Sequence, residues 1–172
     1  AKVRRVVLLS TSGTIAVSED PEFVGREDGP PPESIISAWP YYRSKLYAEQ
    51  IALGTHGLDV ISLNPSLLLG PGDEIGGIST HAVSVFLDEG VPFAPPGTIS
   101  FVDVRDVAAA VELSLTRGRA GERYLLAGGN MRFSDFYSRL ARITGRDEPI
   151  ASTPKATRRV LSWFPAWGRE RG

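Results

Sequence analysis

Two apolar runs on either side of a helical segment constrain this chain more than any other feature. Val3 to Leu9 is a run of Val and Leu broken only by Arg4 and Arg5, and Leu58 to Leu63 is a second such run. Nearly continuous apolar runs are typical of strands buried on both faces of a parallel sheet. From about Tyr41 to Gly57, apolar residues recur at helical spacing. Strand, helix and strand make a βαβ unit, so the sequence predicts an α/β fold with a parallel sheet.

The rest of the chain predicts loops and shorter elements. Glu19 to Ser37 contains four prolines, which predicts a long surface loop. We expect Gly54 or Gly57 to end the helix and Asn64-Pro65 to end the second strand. We expect a sheet-forming part at 1–70 and a smaller mixed part at 71–172. In the second part we predict four helices, at Thr80–Glu89, Asp103–Thr116, Ser134–Ile143 and Lys155–Trp163. Asp103 should be the N-cap of the second of these helices. We also predict strands at Ile99–Val102 and at Tyr124–Ala127, the latter followed by a turn at Gly128-Gly129.

Composition narrows the class of function. Nineteen basic and twenty acidic residues give a net charge of −1, which offers no overall field to attract nucleic acid or an anionic membrane. No apolar run is long enough to span a bilayer, and no signal segment opens the chain. The absence of cysteine is compatible with the cytoplasm, and His56 and His81 are too isolated to predict a metal site. We expect a soluble, cytoplasmic protein that acts on a small molecule.

Tyr41 and Lys45 are four residues apart at the start of the predicted helix, which places both side chains on one face. A cation near a phenol stabilises the phenolate, so such a tyrosine can act as a general acid or base. Ser12 follows the first strand, at the edge where open α/β sheets present ligands. Its hydroxyl could hold a substrate oxygen beside Tyr41. Taken alone, however, a Tyr-x-x-x-Lys pair often arises by chance as a packed ring and a solvated charge.

Five segments surround and include this pair. They are Val7–Thr14, Pro40–Lys45 with Glu49 following, Asn64–Pro71, Phe101–Ala108, and Gly121–Leu126 leading to Ile143–Arg146. In this order they resemble the extended short-chain dehydrogenases/reductases, in particular the NAD-dependent epimerase/dehydratase family and its dihydroflavonol-reductase-like members. The resemblance implies part of a Rossmann-type, doubly wound parallel sheet followed by a smaller mixed α/β part that binds substrate.

The resemblance also implies roles for individual residues. Tyr41 would be the catalytic acid/base, Lys45 would bond the nicotinamide ribose and support Tyr41, and Ser12 would orient the substrate oxygen, with Thr11 as the alternative to Ser12. The cofactor-binding residues would be Lys45 together with Asn64, Pro65 and Ser66, which fall in a loop against the nicotinamide. The cofactor would be NAD or NADP, and the reaction a reduction or epimerisation at a secondary alcohol or ketone.

Two departures from the family pattern limit the prediction. Gly13-Thr14 stands where 4,6-dehydratases usually have Asp-Glu, which disfavours dehydration. The family's glycine-rich phosphate-binding turn is absent, so we expect the chain alone to be inactive and to pair with a nucleotide-binding half or with a second copy. The alternative is a non-catalytic binding or regulatory module that keeps the fold.

Overall fold

The computed structural model describes residues 3–149 of the chain. A first sheet contains β1 (Arg5–Leu9), β2 (Asp59–Pro65) and β5 (Arg123–Leu126), in the order β1-β2-β5 with both pairs parallel. The central strand β2 is buried from Val60 to its end, as its apolar sequence predicts. The predicted α/β class, parallel sheet and Rossmann-like arrangement are confirmed.

Helix α2 (Pro40–Leu53) connects β1 to β2 and packs against the sheet. It begins with proline at its first position, where the missing N–H costs no hydrogen bond, and Gly54 ends it. Helix α4 (Val104–Arg117) packs on β1 and β2. The side chain of Asp103 caps α4 by accepting a hydrogen bond from the backbone N–H of Arg105 at 2.8 Å, so the predicted N-cap is confirmed.

A second, mixed sheet is built from β3 (Leu67–Leu69), β4 (Thr98–Asp103) and β6 (Gly129–Arg132). Strand β4 is central, parallel to β3 and antiparallel to β6. Helices α3 (Ile78–Asp88) and α5 (Phe133–Thr144) accompany this sheet. Their contact forms a second core, which contains Phe86, Ala94, Tyr137 and Ala141.

Several predicted boundaries were wrong. Strand β2 does not stop after Leu63, because Asn64 and Pro65 continue the strand to its end and pair with Leu125 and Leu126 of β5. Proline is tolerated there because β1 pairs with β2 only as far as Leu63, so Pro65 has a partner strand on one side alone. Gly128-Gly129 was predicted as a turn, but Gly129 begins β6, and the predicted loop at Glu19 to Ser37 contains a short helix, α1 (Glu33–Ile36).

Strands β3 and β6 were not predicted. The helix predicted at Lys155–Trp163 lies outside the described residues. The division at residue 70 stays a prediction, although β5 from the second part joins the first sheet. Within residues 3–149, no helix is both long enough and apolar enough to cross a membrane.

Candidate active site

The carboxyl end of β1 turns into a single 3-10 turn, Ser12–Thr14, which follows the strand after two residues. The hydroxyl of Thr11 caps this turn by accepting a hydrogen bond from the backbone N–H of Gly13 at 3.3 Å. Ser12 itself is half-buried, while Gly13 and Thr14 are buried. Ser12, which was predicted to orient the substrate, therefore lies at the carboxyl edge of the sheet. The alternative residue, Thr11, uses its hydroxyl to cap the turn.

Lys45 connects α2 to this edge. Its ammonium donates a hydrogen bond to the backbone carbonyl of Leu9, the last residue of β1, at 3.3 Å. The same nitrogen lies 5.9 Å from the centre of the Tyr41 ring, within the range of a cation–π contact. Tyr41 is 55% exposed. The spacing of four residues thus brings a cation and an exposed tyrosine together at the end of β1.

The next residue, Tyr42, lies against the Ser12 turn. A Cβ atom built on Gly13 would be 2.1 Å from Cε1 of Tyr42, so the ring occupies the space that any side chain at position 13 would need. The rings of Tyr41 and Tyr42 meet edge to face, with centroids 5.2 Å apart. Burial, and then the neighbouring Tyr41, raise the pKa of Tyr42 above its usual value. Tyr42 therefore stays a neutral phenol, and its ring joins the helix to the turn.

A buried polar network lies beneath the turn. Glu49, only 2% exposed, accepts hydrogen bonds from the Asn64 amide at 2.7 Å and from the Thr14 hydroxyl at 3.0 Å. The Ser62 hydroxyl reaches the same carboxylate oxygen at 3.4 Å, and Arg123 approaches the other oxygen at 3.6 Å. Sequence reasoning noted Glu49 only as part of a motif. Its network joins residues far apart in the chain, so no local pattern indicates it.

Of the predicted cofactor-binding residues, Asn64 and Pro65 end β2 and Ser66 follows it, and all three are buried. The amide of Asn64 is committed to the network, where it also reaches the hydroxyl of Thr14 at 2.9 Å, so a ligand would meet this residue through its backbone. The hydroxyl of Ser66 is buried and finds no hydrogen-bond partner among residues 3–149. The roles assigned to Ser12, Tyr41, Lys45 and these three residues stay predictions.

An open cleft of about 350 Å³ begins at Ile15, directly after the turn. Every residue that lines it belongs to the segment 15–35, which follows the turn. Its apolar lining includes Ile15, Val17, Phe23, Val24, Pro30 and Ile35. Among the described residues, no three His, Asp or Glu side chains group together as metal ligands would.

The chain is similar in sequence and in fold to several known proteins. The chain is 31% identical over 180 residues to the "Putative dihydroflavonol 4-reductase" of Synechocystis sp., with 99% of this chain and 50% of that protein covered. The crystal structure of gox2253 matches with a TM-score of 0.80 at 25% identity, covering 96% of this chain and 50% of its own. A double mutant of the Streptomyces venezuelae dTDP-glucose 4,6-dehydratase DesIV, with NAD and DAU bound, matches with a TM-score of 0.67 at 25% identity, covering 87% of this chain and 48% of its own.

The chain thus spans about half the length of the relatives that it matches. A family profile for NAD dependent epimerases and dehydratases matches residues 1–127, which include both the Ser12 turn and the Tyr41–Lys45 helix. The chain belongs to the NAD dependent epimerase/dehydratase family.

Proposed function

We propose that this chain supplies the catalytic half of an NAD(P)-dependent oxidoreductase or epimerase that acts on a secondary alcohol or ketone. One observation carries the proposal. The ammonium of Lys45 is bonded to the end of β1 at 3.3 Å and lies 5.9 Å from the ring centre of an exposed Tyr41. A tyrosine and a lysine that only packed together would not need the tyrosine ring to be exposed to solvent. A substrate oxygen at this edge would meet a phenol, a cation and the half-buried Ser12.

In this mechanism Tyr41 moves the proton at the substrate oxygen. The phenol donates its proton during reduction and takes one back during oxidation. The hydroxyl of Ser12 donates to the same oxygen and orients it. Lys45 holds its positive charge beside the negative charge that develops on the Tyr41 oxygen. A nicotinamide cofactor, when bound, supplies or accepts the hydride.

The residues present fit the nicotinamide end of such a cofactor. Ser66 keeps a buried hydroxyl with no partner among the described residues, and the Lys45 ammonium has donors beyond its one bond to Leu9. The nucleotide end would be held by the part of the relatives that this chain does not cover. We therefore propose that the chain works with a nucleotide-binding half, or as a homodimer, in the cytoplasm.

The lining of the cleft favours a reductase over a sugar-nucleotide epimerase. The side chains beside the turn are aliphatic and aromatic, with Val17 and Phe23 among them. Ser18 and Arg26 are the polar side chains of this lining, and the rest of the wall offers no side-chain partner to sugar hydroxyls. Such a lining suits a ketone with an apolar substituent. The residues of this chain favour neither NAD nor NADP as the cofactor.

Replacing Tyr41 by Phe tests the proposed function in a polypeptide that joins this chain to a nucleotide-binding half. Tyr41→Phe should lower kcat by about 100-fold or more while cofactor affinity is kept, since only the proton donor is removed. Tyr47→Phe is the matched control, because Tyr47 lies on the same helix and is also 55% exposed. Activity within twofold of the unmodified protein in Tyr41→Phe would refute the proposal. Cofactor binding without turnover in the unmodified protein would favour a non-catalytic binding module.

A further inference from the structure

We propose that Glu49 and Arg123 form a positioning unit, which sets the catalytic helix against the Ser12 turn and fastens the loop that walls the cleft. Its effect on turnover rests on the proposed function, whereas its effect on the loop does not. Neither residue needs to touch substrate or cofactor. Both act through the residues that do.

Glu49 ties the helix to the turn. It lies one helical turn beyond Lys45 on α2, and its carboxylate accepts the hydroxyl of Thr14, a residue of the Ser12 turn, at 3.0 Å. The same oxygen accepts the Asn64 amide at 2.7 Å, which fixes the helix to the end of β2. Any slide of α2 along the sheet would break both bonds. The position of Tyr41 and Lys45 relative to Ser12 therefore depends on this buried carboxylate as well as on the Tyr42–Gly13 contact.

Arg123 extends this tie to the loop. From β5 its guanidinium lies 3.6 Å from the second oxygen of Glu49, and its other terminal nitrogen donates to the backbone carbonyls of Glu27 and of Gly29, the latter at 2.8 Å. The carboxylate of Glu27 in turn accepts the backbone N–H of Leu125 at 3.0 Å. Gly29 lines the cleft, so the Arg123 bonds hold its wall in place.

The burial of Glu49 and Arg123 supports the proposal that they hold the helix and the loop in one arrangement. The side chains are 2% exposed for Glu49 and 17% exposed for Arg123, so water cannot replace a lost partner cheaply. A buried carboxylate that loses its cation favours any rearrangement that brings water or another donor to it. Such a rearrangement would move the helix, the loop or both.

The loop provides the first test, which needs no enzymatic activity. Arg26 is the only Lys or Arg between Arg5 and Arg43, so trypsin can cut this loop at one place. Arg123→Met removes the bonds to the loop, and cleavage after Arg26 should accelerate about tenfold or more because the open loop becomes more populated. Glu112→Gln, an exposed change on α4, should leave the rate unchanged. An unchanged cleavage rate in Arg123→Met would overturn the loop part of the proposal.

Turnover provides the second test, in the polypeptide used for Tyr41→Phe. Glu49→Gln keeps the size of the side chain but loses the charge, and it should lower kcat about tenfold or more with KM changed less than twofold. Phe86→Leu, which weakens the second core away from the site, controls for lost stability and should keep kcat. If Glu49→Gln does not fold, Arg123→Lys replaces it, because it keeps the cation while losing the fork that reaches both Glu49 and the loop.

The outcomes separate the two proposals. Loss of turnover in Tyr41→Phe with unchanged kcat in Glu49→Gln, or in Arg123→Lys where that variant replaces it, would overturn the positioning role and leave the proposed function standing. Full turnover in Tyr41→Phe would overturn the proposed function. An equal loss of kcat in Phe86→Leu and Glu49→Gln would reduce Glu49 to an ordinary stabilising residue and overturn its role in positioning.

Discussion

Replacing Gly13 by Ala tests the packing between the Ser12 turn and α2. The new methyl carbon would lie 2.1 Å from Cε1 and 2.3 Å from Cδ1 of Tyr42. Carbon atoms ordinarily meet at about 3.5 Å or more, so the ring must move by more than 1 Å or the turn must lift. Overpacking of this kind costs about 1–3 kcal/mol, and the gain from replacing glycine offsets less than about 1 kcal/mol of it. We expect a net loss of about 1–2 kcal/mol in the free energy of unfolding.

The Tyr42→Ala background shows whether the ring is the cause. Without the ring, Gly13→Ala has nothing to displace, so its cost should vanish or change sign. Urea unfolding of the two single variants and the double variant, followed by circular dichroism, gives a coupling free energy that we expect to exceed about 1 kcal/mol. A Gly13→Ala cost that is the same with and without Tyr42 would refute the reasoning. So would a cost below about 0.5 kcal/mol in the unmodified chain.

Two further predictions concern α4. Hydrogen bonds from the Arg105 side chain and backbone lower the pKa of Asp103 from 3.8 to about 2. Asp103 should therefore stabilise the fold fully above about pH 4 and lose this effect as the pH falls towards 2. Unfolding curves of the unmodified chain and Asp103→Asn should differ near neutral pH and converge near pH 2, whereas a difference independent of pH would contradict the assignment. Gly118→Ala would place a methyl carbon 2.5 Å from Cδ1 of Ile61 and 2.8 Å from the carbonyl of Ser114, and should lower the free energy of unfolding by about 1–3 kcal/mol; a neutral urea midpoint would contradict this.

The main elements could be predicted because their patterns are local. The run that became β1 and the apolar spacing of α2 each carry their signal within one segment, and Asp103 caps α4 because a short acidic side chain at a helix start has a local target. Strands β3 and β6 have three and four residues, too few for a period to show. They are strands because β4 lies between them and pairs with both. Tertiary contact, not local preference, decides such short elements.

The residues of the candidate site also divide into those that a local pattern predicts and those that only the fold brings together. Tyr41 and Lys45 could be predicted as neighbours because a helix places residues four apart on one face. The partners of Glu49 could not, since Thr14 is 35 residues away in the chain, and Arg123, farther still, comes from another strand. A motif of close spacing thus identifies the proposed reacting groups, while the residues that hold them in place are identified only by the fold.

Gly13 and Tyr42 show what this division means for the chemistry of the site. Each residue alone has an ordinary interpretation, as a small residue in a turn and as an aromatic residue on a helix. In the structure they are complementary, because the ring of Tyr42 fills the space left by the missing side chain of Gly13. Since Ser12 precedes Gly13 and Tyr41 precedes Tyr42, this contact couples the backbone positions of the two residues proposed to hold the substrate oxygen. A larger residue at position 13 should therefore disturb the site as well as the stability, unless position 42 becomes smaller with it.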